Sequence, residues 1–204
     1  MIHPDTELTF INAQKGYGVV ATKFIPRGTI TWVQDELDAS FSGHEVNKMR
    51  EVTRQLIDKY AFTNGTGEKV LCWDHAKYVN HSFNPNCMST AYDFEFAVRD
   101  IEAGEELTDD YGYLNVEQPF VPLDEGLERK IVYPDDILTY HKIWDNQLIN
   151  CLADILRVNQ PLVFYADQEK WRDFSHSVSA GKSLRSIKEC HFYAPMVNGL
   201  KESK

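Results

Sequence analysis

The feature that most constrains this chain is the punctuation near its start. Leu8 to Ile11, Gly18 to Ile25 and Thr29 to Val33 are runs of β-branched and aromatic residues, and Gly16, Gly18, Pro26 and Gly28 separate them before any helical period can build up. Three short strands are predicted. From His44 to Tyr60 the pattern changes: Val46, Met49, Val52, Leu56 and Ile57 recur at helical spacing with no Gly or Pro, so one amphipathic helix is expected. Val70 to Trp73, Ala91 to Ile101 and Glu106 to Tyr111 again read as extended, with Phe94, Phe96 and Val98 alternating against Glu95 and Ala97.

Beyond Val116, Pro119, Pro122 and Pro134 punctuate a stretch carrying Asp124, Glu125 and Glu128, which suits an irregular connection. Ile137 to Val158, with Leu138, Ile143, Leu148, Leu152, Ile155 and Leu156, predicts a helix broken near Asp145 or Asn146. A short helix is expected at Gln168 to Trp171, and a frayed polar end at Val197 to Lys204. The fold class is mainly β, a β-rich α+β arrangement with a helical C-terminal extension. The expected division is 5–113 for the β-rich domain and 114–204 for linker and extension.

Composition narrows the partners. Lys and Arg number 21 against 31 Asp and Glu, a net charge of −10, which is a poor start for gripping a phosphate backbone. Nucleic acid is not an expected partner. An acidic surface attracts basic ligands, although acidity also serves solubility and names no partner by itself. Cys72, Cys87, Cys151 and Cys190 lie far apart without a CxxC pair, so neither a zinc site nor a disulfide framework is signalled. The N-terminal residues lack a basic-then-apolar leader and no stretch approaches a membrane span of roughly 18 apolar residues. A soluble, intracellular protein without membrane association is expected.

Three segments could carry chemistry. Lys15-Gly16-Tyr17-Gly18 lies between two strands; closely spaced glycines let backbone approach a ligand, and they also make a plain tight turn. Tyr78 to Cys87 is dense in Asn, Ser, His and Pro, either an elaborate turn satisfying its own backbone or a loop gripping a polar ligand. In Gly104 to Tyr113, an extended backbone puts Leu107, Asp109 and Tyr111 on one face and Thr108 and Asp110 on the other. A carboxylate and a phenol would then share a side, or the segment would simply end a surface strand.

Taken together, in this order and spacing, these segments resemble the SET-domain family. The glycine turn is similar to its first cofactor motif and Asn80-His81-Ser82 with Asn84-Pro85-Asn86 to its NHSxxPN signature. Phe96 to Ile101, Gly104 to Thr108 and Asp110-Tyr111-Gly112 are similar to its final block. The resemblance implies small sheets around a pseudoknot and protein-lysine methyltransferase activity with S-adenosyl-L-methionine as cofactor. It implies cofactor contacts from Lys15, Gly16, Tyr17, Gly18, Asn80 and His81, with Tyr111 as the catalytic tyrosine at the cofactor and beside a lysine channel. A basic, lysine-containing protein or peptide would be the substrate. Asp109, Tyr113, Tyr60 and Phe62 would line the channel.

Two departures stand out. Where the family often has Phe or Tyr, this chain has Asp109, which would oppose lysine deprotonation unless hydrated or turned aside. It is expected either to hold the amine through water or to face solvent. The family's C-terminal zinc cysteines are also missing, leaving closure of the channel to Tyr113, Phe120 or aromatics such as Tyr140, Trp144, Phe164 and Tyr165, most of which are expected in the core instead. The alternative function is a SET-like module that binds a basic peptide and transfers nothing.

Overall fold

A computed structural model describes residues 1–193. The expected polar end at 197–204 lies outside the described residues. Among the described residues, ten short strands form three small sheets. In the first, β1 (Thr6–Asn12) pairs antiparallel with β2 (Gly16–Ala21), and β2 in turn with β10 (Glu106–Asp109). On its far edge β10 runs parallel to β7 (Asn80–His81), setting Thr108 opposite Asn80 and Asp109 opposite His81. That pairing brings two segments distant in sequence into one place.

The second sheet has the order β3 (Ile30–Val33), β9 (Phe94–Ala97), β8 (Cys87–Ser89). The third joins β4 (Ala39–Phe41), β6 (Lys69–Leu71) and β5 (Phe62–Thr63). Four of these strands, β4, β5, β7 and β8, are too short to show a period of two, and the sequence patterns miss them.

The expected helix from His44 to Tyr60 is two helices, α1 (Gly43–Lys48) and α2 (Glu51–Tyr60). Met49 and Arg50 are extended between them, and Ser42 closes α1 with a capping box to Glu45. The step re-aims α2, so Val46 and Ile57 are buried while Val52 and Leu56, assigned to the same apolar face, are exposed.

The helix expected to break at Asp145 or Asn146 is continuous, α3 (Asp136–Ile155). Asp145 is used across the fold instead: it accepts hydrogen bonds from Ser186 Oγ (2.6 Å) and Ile187 N (2.9 Å). The short helix expected at 168–171 extends to twelve residues, α4 (Gln168–Ser179), capped by Asp167. No described helix is long and apolar enough to cross a membrane.

One hydrophobic core runs across the expected boundary at 113/114. Ile30, Met88, Phe94 and Phe96 of the second sheet pack with Trp144, Leu148, Ile155 and Phe174 of α3 and α4. Phe174 sits 5.3 Å from the ring of Phe94 and 5.2 Å from that of Phe96. Gly28 makes the approach possible: its φ is +87°, and a Cβ there would lie 2.8 Å from the backbone nitrogen of Ile155. Gln160 locks this corner, donating to Gly28 O and accepting from Ile30 N, both at 2.7 Å.

Candidate active site

The glycine turn and the NHS segment meet over β10. Asn80 Nδ2 donates to Tyr17 O (3.1 Å) and to Glu106 Oε1 (2.7 Å), while Lys15 Nζ pairs with Glu106 Oε2 at 2.7 Å. Gly18 leaves room for this knot, because a Cβ there would stand 2.6 Å from Glu106 Oε1 and 2.8 Å from Asn80 Nδ2. Around Gly16 the space is open, and the Tyr17 ring is exposed beside Phe10. Lys15, Gly16, Tyr17, Gly18, Asn80 and His81 therefore come together.

Part of the NHS loop is purely structural. Asn86 is fully buried and acts as an extra ladder partner for β10: its Oδ1 accepts from Thr108 N and its Nδ2 donates to Glu106 O, both at 2.8 Å. Ser82 Oγ and Phe83 N both donate to Glu125, so the irregular connection folds back over this loop.

His81 is the hinge of the site. Its Nδ1 accepts from Tyr111 N at 3.1 Å, and its ring packs against Phe83, Tyr111 and Phe120. Burial, with the charges of Arg129 and Lys15, lowers its pKa to about 3. The neutral ring therefore carries its proton on Nε2, which is buried and has no protein acceptor. A buried orphan donor of this kind is stable only with a ligand or water to accept from it.

Beneath it lies an ionic knot. Arg129 bridges Asp110 and Asp136 and stacks on the rings of Phe83 (4.7 Å) and Tyr140 (4.6 Å). Gly112 is required here, since a Cβ would stand 2.4 Å from Arg129 Nη2. Sequence reading missed Arg129, which lies in the proline-rich connection without a motif around it.

Tyr111 donates its hydroxyl to Val79 O at 2.8 Å. Burial, with Asp109 and Glu106 nearby, raises its pKa, so it remains a neutral phenol. On its other side opens a cavity of about 410 Å³. All four expected channel residues line it: Tyr60, Phe62, Asp109 and Tyr113, joined by Trp32. The aromatics expected to close the channel divide. Phe120 lies 5.9 Å from the rings of both His81 and Tyr111, whereas Trp144 packs under Tyr113 in the core. Phe164 and Tyr165 reach neither: they are 87% and 52% exposed.

Asp109 does not face solvent, which removes one of the two expectations for it. It is 4% exposed, and it accepts from Tyr113 Oη and from the backbone N–H of Asp110. Its carboxyl lies against that of Glu95, which Ser89 Oγ holds with a 3.0 Å hydrogen bond. Burial raises both carboxyls, and the charge of Glu95 pushes Asp109 further, so the pair shares protons rather than carrying two charges. Glu95 escaped notice in the sequence because its alternation against Phe94 and Phe96 reads equally well as a solvent-facing position.

A SET domain model matches residues 16–112. Those residues are a SET domain. A solved structure of a candidate histone methyltransferase from Plasmodium falciparum is similar at 19% identity, with a TM-score of 0.42, over 54% of this chain and 95% of that one. At that score the likeness adds nothing to the fold described above. No curated protein matches. Among the described residues, no group of three or more His, Cys, Asp or Glu side chains is placed to hold a metal ion.

Proposed function

We propose that the protein transfers a methyl group from S-adenosyl-L-methionine to the side-chain amine of lysine in a basic protein or peptide. The observation that carries this reading is the position of Tyr111, between the His81 and glycine-turn cluster on one side and the aromatic cavity on the other. The orphan Nε2–H of His81, the open space at Gly16 and the exposed Tyr17 ring fit a polar, aromatic cofactor held by Gly16, Tyr17, Gly18, Asn80 and His81. When bound there, S-adenosylmethionine supplies an electrophilic methyl on a sulfonium.

The chain's own residues position the other reactant. Trp32, Tyr60, Phe62 and Tyr113 suit the aliphatic stem and charged head of a lysine, since aromatic faces attract cations. Tyr111, neutral and fixed by Val79, aligns the amine at the cavity's inner end. The alternative of a binding module that transfers nothing rests on Asp109 spoiling the channel; burial and the charge of Glu95 push that carboxyl well above the ordinary carboxylate range, which weakens its opposition to deprotonation and favours the transfer reading.

Tritium-labelled cofactor with a panel of lysine peptides tests the reading. Tyr111→Phe is expected to lose on the order of 10²-fold in turnover through misplacement of the amine. Cofactor binding by calorimetry without labelling of any peptide or lysate protein would refute it.

A further inference from the structure

We infer that Glu95 is the base that takes the proton from the substrate ammonium, and that Asp109 is the positioning residue that holds it. The inference rests on the lysine reading of the cavity.

The geometry begins on β9. Glu95 stands opposite Trp32 of β3 and Ser89 of β8 in the sheet register, and all three line the cavity. Asp109, at the end of β10, is fixed by Tyr113 and by the Asp110 backbone, and its carboxyl hydrogen-bonds that of Glu95. No lysine or arginine among the described residues pairs with either one. The lysines lining the cavity are engaged elsewhere: Lys69 with Glu117 at 2.6 Å, and Lys77 with the carbonyls of Trp73 and Asp74. Lys59 lies over the ring of Tyr60. A carboxyl pair in the wall of an aromatic-lined cavity, with no lysine or arginine among the described residues paired to it, suits a cation that arrives from outside.

The chemistry balances. The N–H bond of R–NH₃⁺ breaks with its electron pair left on nitrogen, and an O–H bond forms on the Glu95 carboxylate. Lysine becomes R–NH₂, and the freed lone pair is what a sulfonium-borne methyl would require of its acceptor. The proton on Glu95 then leaves to water through the mouth of the cavity. Asp109 keeps its proton throughout and donates it as a hydrogen bond to Glu95, so two negative charges never coexist. A lysine in water is charged at neutral pH, with a pKa of about 10.4, and a base raised above the ordinary carboxylate range is better matched to remove its proton.

Other titratable groups face the pair: the thiols of Cys72 and Cys87, the phenols of Tyr111 and Tyr113, Asp110, and the Met1 ammonium, which is held by Asp35 at 2.8 Å. Asp58, Asp93 and Glu117 line the cavity with its lysines. Burial drives the two thiols and Tyr111 upward, away from the acid range, and Asp110 is tied to Arg129.

The test is Glu95→Gln and Glu95→Ala in the full chain, on a lysine peptide that the wild type methylates. Glu95→Gln is expected to lose about 10²–10⁴-fold in kcat and to lose the acidic limb of the kcat/KM profile, with cofactor affinity by calorimetry unchanged. Formate is expected to restore part of the turnover of Glu95→Ala, and Asp109→Asn to move the limb to lower pH. Turnover of Glu95→Gln within tenfold of wild type with the limb intact overturns the inference. So does a folded, cofactor-binding Glu95→Ala that formate leaves inactive. A wild type that methylates no lysine substrate brings down the proposed function itself, and this inference with it.

Discussion

The two sides of Tyr111 use buried charge in opposite ways. On the His81 side each charge is answered: Arg129 neutralises Asp110 and Asp136, Lys15 pairs with Glu106, and the one ring that could titrate is held neutral. On the cavity side Glu95 and Asp109 have hydrogen bonds, but no lysine or arginine among the described residues pairs with them, and the nearby Met1 ammonium is held by Asp35. Burial acts on both sides, lowering the imidazole pKa and raising those of the carboxyls, because it disfavours whichever form is charged. Charge that is answered within the chain holds the fold together, and charge that is left unanswered waits for a partner.

The hardest test of that contrast is Arg129→Met. It leaves Asp110 and Asp136 buried without their cation, and thermal or chemical unfolding is expected to show a loss of about 3–5 kcal/mol. A loss below about 1 kcal/mol would place the knot among ordinary surface ion pairs. Next comes Gly18→Ala, whose methyl would press on Glu106 and Asn80. It is expected to cost about 1–3 kcal/mol and to weaken cofactor binding by calorimetry, while the pH behaviour of Glu95 and Asp109 is kept.

The smallest effect is the most diagnostic, because the two sides respond to pH with opposite sign. His81 has a folded pKa below its unfolded value near 6.5, so the unfolded chain binds more protons and stability falls as pH drops from about 6.5 toward about 3. Glu95 and Asp109 have folded values above their unfolded ones, so their contribution is full in acid and is lost as pH rises through the folded values. Glu95→Gln is accordingly expected to stabilise the protein by about 1 kcal/mol at pH 8 and not at pH 4. Equal melting shifts at both values would show that Glu95 titrates normally.

How much of this was legible depended on how far each signal reaches along the chain. The punctuated strands near the start and the NHS and Asp-Tyr-Gly segments are local patterns, and they led to the glycine turn, Asn80, His81 and Tyr111. The break between α1 and α2 carries no local mark, neither Gly nor Pro, although it leaves Val46 and Ile57 buried and turns Val52 and Leu56 to solvent. Asp145 looked like a helix breaker because its tertiary use, holding Ser186 and Ile187, lies over forty positions away. Arg129 and Glu95 were invisible for the same reason. Each acquires its role only when a distant segment arrives, Asp110 for the first and Asp109 for the second.

Strand β9 places Phe94 and Phe96 against α4 and sends Glu95, between them, into the cavity. Two selective pressures therefore act on adjacent residues of one strand. The tail can drift in sequence only as far as it keeps a surface for those two rings, and the cavity can change its substrate only through side chains that leave the strand in register. Helices that touch no substrate are thereby bound into the history of the site.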